Sequence, residues 1–316
     1  SKSIDSSSKS DSVSVSVSST DFIQMRLDKR IEMLDKNMHP YAHNFDNTHS
    51  SLELQELYKD LPSGEENNDN VSLSGRILLK RNFGKLMFLT IKDHISTIQI
   101  YIDSKNLDIE SVEHLKKYID IGDIIGVYGT LKRTKKGELS IKLNNWKMLT
   151  KSIQLLPEKH SGLQDVNKRY RQRHVDMIVN NNVYETLKQR SEIVAHIRSY
   201  LSSRGYLEVE TPVLSSQAGG ADAKPFVTHH NALDMPLTLR IATELYLKRL
   251  IIGGFNKIYE IGKIFRNEGI SSRHNPEFTS IELYETYTDY EDMMHLMETM
   301  TIELCTKLHG GCIIPY

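Results

Sequence analysis

The sequence has few cysteines and lacks long apolar runs. Its two cysteines, Cys305 and Cys312, lie outside any CxxC pattern and have no histidine pair beside them at zinc-binding spacing. The sequence therefore gives no sign of a disulfide framework or a structural zinc ion. No apolar stretch approaches the roughly 20 residues of a transmembrane helix, because charges or glycines interrupt even the segment LKRLIIGGF. We therefore expect no membrane-spanning segment.

An excess of charge of one sign is also missing. The 40 lysines and arginines nearly balance the 41 aspartates and glutamates, which leaves a formal net charge of −1. The overall charge therefore does not indicate a nucleic-acid partner, and any such contact would depend on local basic patches. Two groups of basic residues form such patches: Arg76, Lys80, Arg81 and Lys85, and Lys168, Arg169, Arg171 and Arg173. A solvated helix or strand face is the alternative interpretation of each patch.

A chain of 316 residues is long enough for two domains of ordinary size. Residues 1–20 are rich in serine, and no turn or partner strand accompanies the alternating SVSVSVSS, so we expect a disordered linker or the remnant of a transit peptide. The start at serine rather than methionine indicates a processed or engineered terminus. Residues 21–64 should form helices, the first opening at Asp21 with one apolar face made of Ile23, Leu27, Ile31 and Leu34.

Residues 65–152 contain five strand-like segments with alternating apolar and polar positions. A helical segment, IESVEHLKKYI, stands between the third and the fourth. Three strands, a helix and two more strands are the element order of an OB-fold, a small five-stranded barrel whose exposed face binds oligonucleotides. We predict an OB-fold here, with another small β-barrel as the alternative.

Residues 153–316 follow a different plan. A basic helix and a long amphipathic helix that ends at Gly205 precede strands and helices in irregular order. The regular strand–helix alternation and the GxGxxG turn of a Rossmann domain are missing. We predict an antiparallel α+β domain, so the whole chain belongs to the α+β class.

One strand of this domain has two chemically different faces. In EFTSIELY, alternation places Phe278, Ser280, Glu282 and Tyr284 on one face, whereas Ile281 and Leu283 lie on the other. The apolar pair can pack on a core and leave an aromatic ring, a carboxylate and a phenol in line on the opposite face. A half-buried strand without any binding role is the alternative interpretation.

Two stretches of the second domain resemble sequence motifs of class II aminoacyl-tRNA synthetases. The long helix followed by GYLEVETPVL resembles motif 1, and YEIGKIFRNEGISSRHNPEFTSIELY resembles motif 2. Within that class, AGGADAKPFVTHHNALD, IATELYLKRL and RHNPEFTSIELY resemble lysyl-tRNA synthetases rather than aspartyl or asparaginyl ones. LPSGEE, FGKL and KRYRQRH are most similar to bacterial and plastid-type members. The resemblance extends from about residue 21 to residue 316.

The resemblance implies a lysine–tRNA ligase activity. L-lysine would be activated by ATP with Mg2+ to lysyl-adenylate and transferred to the 3′ end of tRNA(Lys), while the OB domain recognises the anticodon. The family forms homodimers, with the residue that matches Pro212 at the interface. The expected compartment is the cytoplasm, and an organelle matrix (plastid, apicoplast or mitochondrion) is the alternative.

For the ATP site, the resemblance implies Arg266, Glu268, His274, Asn275 and Phe278. Arg266 is the catalytic candidate, because a guanidinium can bridge a carboxylate and a phosphate with donors in a fixed fork. A surface ion pair is the alternative role of Arg266. A purine would stack on Phe278. A solvated loop histidine is the alternative interpretation of His274.

For the lysine site, the resemblance implies Gly219, Gly220, Glu244, Arg266, Glu282 and Tyr284. A charged amine is costly to desolvate unless it is paired, and Glu282 with Tyr284 would hold the side-chain ammonium. Glu244 would hold the α-amino group, and the two glycines would let the backbone approach the substrate.

For the anticodon, the resemblance implies Arg76, Phe88 and Gln99, because unpaired bases are read by stacking and by hydrogen bonds to their edges. A place in the barrel core is the alternative for Phe88. The glycine-rich third motif of the class does not occur before Tyr316. We therefore expect a longer enzyme whose remaining part supplies that motif and the metal ligands, with no metal site in this chain and no full reaction by it alone. The alternative is a truncated protein that binds tRNA or another protein.

Overall fold

The computed structural model describes residues 19–157 and 163–314. Contacts along the chain divide it into two compact units, Ser1–Val179 and Asn180–Tyr316. The serine-rich segment that the sequence predicts to be disordered lies outside the described residues, apart from its last two positions.

The first unit is a five-stranded barrel with accompanying helices. Its described elements are α1 (Ser19–Asp35), α2 (Ser51–Leu57), β1 (Glu66–Phe83), β2 (Leu86–Lys92), β3 (Thr97–Asp103), α3 (Ile109–Tyr118), β4 (Ile124–Arg133), β5 (Leu139–Thr150), α4 (Val166–Arg171) and α5 (Arg173–Val179). The strands close in the order β1-β2-β3-β5-β4. Only the β3–β5 pair is parallel among these neighbours. The prediction of an OB-fold is confirmed.

Strand β2 shows how the sequence pattern builds this barrel. Met87, Leu89 and Ile91 are almost completely buried, whereas the intervening Phe88 and Thr90 are half-buried. Because successive side chains of a strand point to opposite faces, the first set fills the barrel and the second lies on its outer surface. The position of Phe88 therefore excludes the barrel-core alternative.

Helix α1 differs from the predicted helix in its start and in its buried face. It begins two residues before Asp21. Ile31 and Leu34 are 52% and 46% exposed, whereas Arg26 and Met33 are 8% and 0% exposed. Half of the predicted apolar face was therefore wrong: Ile23 and Leu27 are half-buried, but the buried positions beside them include Arg26, and apolar spacing cannot detect a buried arginine.

Arg26 is buried, and backbone oxygens are the described partners of its guanidinium. It donates hydrogen bonds to the carbonyl oxygens of Ile121 at 2.9 Å, Ser152 at 3.1 Å and Gln154 at 3.2 Å. A buried polar group is tolerated when its donors are paired in this way. The contacts attach α1 and the segment after β5 to the base of the barrel.

Next to Arg26, the base of the barrel contains a buried ionic cluster. The fully buried Nζ of Lys151 lies 2.6 Å from Asp120 and 2.8 Å from Asp123, and it donates to the carbonyl oxygen of Tyr118 at 2.7 Å. Burial raises the pKa of Asp123 in spite of Lys151. Burial also acts to raise the pKa of Asp120, but hydrogen bonds from Lys151 and Lys29 outweigh it, so that this pKa is lowered.

The second unit combines a long helix, two small sheets and two further helices. Its described elements are α6 (Asn181–Ser203), β6 (Leu207–Glu208), β7 (Leu214–Ser215), β8 (Val227–His230), β9 (Met235–Leu239), α7 (Glu244–Ile252), β10 (Lys257–Phe265), β11 (Glu277–Glu285) and α8 (Tyr290–His309). One sheet has the order β11-β10-β6 and the other β7-β9-β8. Helix α6 ends just before Gly205, whose φ of +82° is one that glycine adopts easily.

The core of the second unit lies on one face of the β11-β10-β6 sheet. Its buried residues are Tyr200, Leu201, Tyr206, Tyr259 and Met300. The half-buried Ile281 and Leu283 of β11 pack against this cluster. The prediction that these two side chains face the core is confirmed, and the opposite face of the strand is left for other contacts.

Cys305 is buried and Cys312 exposed, and both are free thiols. Within residues 19–157 and 163–314, no helix is long and apolar enough to cross a membrane. The same ranges contain no group of three or more histidine, cysteine, aspartate or glutamate side chains that could hold a metal ion.

Candidate amino-acid and nucleotide site

The hairpin of β10 and β11 presents a polar face on the side away from the core. Its cross-strand pairs on this face are Ile258–Tyr284, Glu260–Glu282, Gly262–Ser280 and Ile264–Phe278. Directly opposite side chains in an antiparallel pair have Cβ atoms about 5 Å apart. The structure therefore brings the predicted aromatic ring, carboxylate and phenol of β11 to one face and adds a second carboxylate on β10.

Glu282 connects this face to helix α7. Its Oε1 accepts a hydrogen bond from the backbone N–H of Thr243 at 3.0 Å, and its Oε2 accepts one from the hydroxyl of Tyr284 at 3.1 Å. The start of a helix favours a negative charge. No lysine, arginine or histidine within the described ranges forms an ion pair with Glu282. Its carboxylate is thus held in place by neutral donors and is not neutralised.

Tyr284 is held as a neutral hydrogen-bond donor beside that carboxylate. Burial raises the pKa of its phenol, and the neighbouring Glu282 and Glu244 raise it further. The buried hydroxyl of Thr243 has no hydrogen-bond partner in the described part of the chain. The immediate surroundings of Glu282 are therefore polar.

Arg266 follows β10 directly and lies over Phe278. Its Cζ is 5.3 Å from the centre of the Phe278 ring. Its Nε and Nη2 each lie 3.4 Å from the carbonyl oxygen of Ile241, a distance typical of weak hydrogen bonds. No carboxylate pairs with Arg266 in the described ranges, so the surface ion pair proposed as its alternative role does not form.

The loop after β10 carries the other residues predicted for ATP. Glu268 accepts a long hydrogen bond of 3.3 Å from the backbone N–H of Lys224. His274 is exposed, and its Nδ1 lies 2.8 Å from the hydroxyl of Ser271 within the same loop. Asn275 is exposed as well. The solvated-loop interpretation of His274 thus describes this structure.

Glu244 stands in the first turn of α7, close to the two predicted glycines. A Cβ on Gly220 would lie 3.1 Å from the Cβ of Glu244, and one on Gly219 would lie 2.6 Å from Leu245. The glycines therefore allow the backbone to approach α7. The carboxylate of Glu244 forms an ion pair with Lys248 at 2.5 Å, so a substrate amine would have to share it with that lysine.

A buried charged network that sequence reasoning missed lies beside this face. Nη1 of Arg240 donates to Oε1 of Glu260 at 2.5 Å, and the hydroxyl of Thr211 donates to Oε2 of Glu260 at 2.6 Å. Thr211 immediately precedes Pro212, the residue predicted to lie at a dimer interface. The spacing of 20 residues between Arg240 and Glu260 gave no local signal for the pair.

Candidate nucleic-acid interface

An aromatic group lies on the outer surface of the barrel. Phe88 contacts Tyr101 with ring centres 5.5 Å apart and Phe83 with ring centres 6.0 Å apart, both nearly edge to face. The side chain of Phe83 is 65% exposed. Aromatic rings on the open face of an OB-fold can stack on unpaired bases. Phe83 and Tyr101 were not predicted, although alternation along β2 and β3 places Tyr101 beside Phe88.

Gln99 lies two residues before Tyr101 on β3 and therefore on the same outer face. Its amide nitrogen donates to Glu138 at 3.2 Å, and its amide oxygen accepts from Ser140 at 2.9 Å. Arg76 does not join this group. It pairs across the strands with Lys92, four residues or roughly 13 Å along β2 from Phe88, and it donates to the carbonyl oxygen of Gly122 at 2.8 Å.

The first basic patch has structural as well as exposed members. Lys80 donates to the carbonyl oxygens of Lys116 and Ile119 at the end of α3, so it caps that helix, while Arg81 and Lys85 are exposed. The solvated-face interpretation therefore fits only part of this patch.

The second basic patch is also divided. Arg169 and Arg173 pair with the fully buried Asp176 at 2.9 and 2.5 Å, while Lys168 and Arg171 are exposed. Two of its four cations therefore bind a buried carboxylate, and the other two remain at the surface.

Two further lysines lie near the aromatic group. Nζ of Lys132 is 4.7 Å from the centre of the Tyr101 ring. Lys132 and Lys142 both pair with Glu66, at 2.8 and 2.6 Å. Their hydrogen bonds lower the pKa of Glu66. This face thus combines aromatic rings with cations, as a surface for a single-stranded nucleic acid requires.

Comparison with known proteins identifies what each part of the chain is similar to. Residues 165–313 match the family model for class II tRNA synthetases (D, K and N), and residues 71–149 match the one for the OB-fold nucleic acid binding domain. The chain is 52% identical to the lysine–tRNA ligase of Nostoc punctiforme, covering 95% of this chain and 55% of that protein. It is also 52% identical to the lysine–tRNA ligase of Parasynechococcus marenigrum (92% and 59%) and to the chloroplastic/mitochondrial one of Arabidopsis thaliana (92% and 49%). The chain thus spans about half the length of the curated relatives it matches.

Proposed function

We propose that the chain is part of a lysine–tRNA ligase, because residues 165–313 match the family model for class II tRNA synthetases (D, K and N) and residues 71–149 match the one for the OB-fold nucleic acid binding domain. The proposed reaction activates L-lysine with ATP and transfers it to the 3′ end of tRNA(Lys). The relatives of 52% identity carry the name lysine–tRNA ligase, which supports this proposal.

The observation that carries the choice of lysine is the unneutralised carboxylate of Glu282. Among the three amino acids of the group, only lysine has a cationic side chain. An aspartate side chain would be repelled by Glu282, and an asparagine side chain would leave its charge unpaired. Because an unpaired charge that is partly removed from water is unfavourable, a site with this half-buried carboxylate selects the ammonium of lysine.

The neighbouring residues suit the first chemical step. In this step a carboxylate oxygen of lysine attacks the α-phosphorus of ATP, and the bond to the leaving pyrophosphate breaks. Two anions must approach each other, so fixed positive charge lowers the barrier. Arg266 has no carboxylate partner in the described ranges and can bridge the two reactants, while Tyr284 donates a hydrogen bond beside the substrate ammonium. Glu244 and the backbone at Gly220 would hold the α-amino group.

For ATP, the fit to the described residues is partial. Phe278 offers a ring for the purine, but Arg266 already lies over this ring, so the base would stack beside or displace the guanidinium. Glu268, His274 and Asn275 lie on an exposed loop that could close on the nucleotide. For Mg2+, the described residues contain no cluster of three candidate ligands, and we assign the ion no ligand and no step here.

For tRNA(Lys), we propose that anticodon bases stack on Phe88 and its aromatic neighbours, while Gln99 reads a base edge. Gln99 is 9% exposed and bonded to Glu138 and Ser140, and Arg76 donates to the carbonyl oxygen of Gly122, so each would have to exchange a protein partner for a base. We further propose a homodimer with Pro212 near its interface. Analytical ultracentrifugation tests this point, and a monomer at micromolar concentration would contradict it.

Lysine-dependent exchange of pyrophosphate into ATP tests the proposed activity in the protein of natural length. We expect exchange with lysine and none with aspartate or asparagine. Exchange with either of those, and not with lysine, would overturn the proposal.

The alternative is a nucleic-acid-binding module without catalysis. The closed barrel favours this alternative, because all residues of its aromatic face belong to the first unit. Tight binding of tRNA(Lys) with no exchange for any amino acid would support that alternative.

A further inference from the structure

Arg240 and Glu260 form a buried ion pair beside the proposed lysine site. Their side chains are 7% and 4% exposed. Besides its bond to Glu260, Arg240 donates from Nη1 to the carbonyl oxygen of Thr211 at 3.1 Å and from Nε to that of Lys263 at 2.9 Å. Each partner is therefore held from several sides, and the pair has a fixed geometry.

The pair adjoins Glu282 because of the strand register. Glu260 lies directly opposite Glu282, so their Cβ atoms are about 5 Å apart. Arg240 lies over Gly262, which is on β10 like Glu260. A Cβ on Gly262 would be only 2.2 Å from Nη2 of Arg240. Glycine at this position thus admits the guanidinium to the polar face. Without Arg240, two carboxylates would stand side by side on this face.

We propose that Arg240 is a positioning residue that neutralises Glu260 and leaves Glu282 as the one open carboxylate of this face for the substrate ammonium. This inference rests on the proposed lysine activation. A cation can pair with either of two neighbouring carboxylates, and a lysine held at Glu260 would present its carboxylate at a different place from one held at Glu282. With Glu260 already occupied, the ammonium has a single binding position.

The pair also gives the proposal a sharp test, since each partner is controlled by the other. In Glu260→Gln, Arg240 keeps its charge but loses its carboxylate, and Glu282 is the nearest carboxylate on the face. The guanidinium then competes with lysine. In the double variant Arg240→Gln, Glu260→Gln, both charges are gone, and Glu282 again stands alone.

We expect Glu260→Gln to raise the KM for lysine at least tenfold in pyrophosphate exchange, with the KM for ATP changed less than about threefold. The double variant should return the KM for lysine to within about threefold of the wild-type value. Glu277→Gln is the matched control, because Glu277 pairs with Lys263 across the same two strands at 2.9 Å but both are about half exposed. It should leave both KM values unchanged.

The inference would be overturned if the KM for lysine of the double variant were as high as that of Glu260→Gln. Equal increases of the KM for lysine and the KM for ATP in Glu260→Gln would also overturn it. Either result would mean that the pair only supports the fold. Thermal unfolding shows whether each variant is folded. If Glu260→Gln does not fold, the double variant alone tests the inference, and a KM for lysine more than about threefold above the wild-type value would contradict it. Absence of lysine-dependent exchange in the wild-type protein would instead contradict the proposed function.

Discussion

The two units place their proposed functional residues differently in relation to their cores. In the barrel, the described core draws on all five strands, and Ile77, Leu89 and Ile100 have no exposed surface. Closure leaves the outer face free for side chains such as Phe88. In the second unit, the sheet of three described strands is open and β11 is its edge. Glu282 lies on that edge strand, with Leu283 of the core as its next neighbour.

This difference bears on how substitutions act. A side chain on the outer surface of a closed barrel can change without altering the core, because the core side chains point inward. A side chain on the open sheet is coupled to buried charges, to helix α7 and to the core on the other face. We therefore expect binding and stability to separate cleanly in the first unit and less cleanly in the second.

The largest expected effect is on the stability of the barrel. Lys151→Met removes the cation from Asp120 and the fully buried Asp123, and breaking such a pair costs about 3–5 kcal/mol. The sequence contains a single tryptophan, Trp146, which packs against the barrel core, so its fluorescence in a urea titration reports on this unit. We expect the unfolding midpoint to fall sharply.

Lys117→Met is the matched control for that measurement. Lys117 also pairs with a carboxylate, Glu32, but their side chains are 52% and 38% exposed. Exposed pairs contribute little to stability, because solvent screens them. Equal losses in the two lysine variants would contradict the idea that burial gives the Lys151 cluster its importance.

The next effect tests the second unit. Glu282→Gln removes the charge that would pair with the substrate ammonium, and a hydrogen bond to a charged group contributes about 1.5–3 kcal/mol. We expect the KM for lysine in pyrophosphate exchange to rise roughly 10- to 150-fold. The KM for ATP serves as the internal control and should change little. Similar increases of the two KM values would mean that Glu282 mainly supports α7 through Thr243.

How much of each unit the sequence predicts depends on how local the signal is. The barrel strands follow from alternation within single segments, and the polar face of β11 follows from the same period. The turn of α1 about its axis could not be predicted, because Arg26 is buried by carbonyl oxygens about 95 to 128 positions away. The Arg240–Glu260 pair depends on the register of β10 and on the space at Gly262, neither of which a sequence pattern shows.

For Arg76, the sequence predicts the residue type at a position but not the contacts of its side chain. The resemblance implied a contact with the anticodon, whereas in the structure its guanidinium donates to the carbonyl oxygen of Gly122, and burial lowers its pKa. A resemblance transfers a residue type, whereas the direction of its side chain depends on where the strand bends, and β1 has an irregularity just after this residue.

A smaller effect tests the barrel surface. Phe88→Ala removes the centre of the aromatic group, and stacking of one base is worth about 1–3 kcal/mol. We expect tRNA(Lys) to bind roughly 5- to 150-fold more weakly in a filter-binding assay, with lysine-dependent exchange unchanged. Tyr128→Ala is the control, because Tyr128 is an exposed aromatic residue of β4 that contacts Phe45 instead. Loss of exchange in Phe88→Ala would contradict the separation of binding from fold.

The smallest effect concerns the ion pairs on the same surface. Glu66 has a lowered pKa because Lys132 and Lys142 donate to it, so its contribution is present above the unfolded pKa of roughly 4.3 and is lost as the pH falls through the folded value. Its side chain is 34% exposed, and pairs of this kind contribute about 0.2–1 kcal/mol. Glu66→Gln should therefore lower the unfolding free energy slightly at pH 7 and not at pH 3, as Trp146 fluorescence can measure.

The same substitution frees two lysines beside Tyr101, so tRNA binding should strengthen at low salt. Weaker binding would mean that Glu66 orients these lysines rather than competing with the phosphates for them.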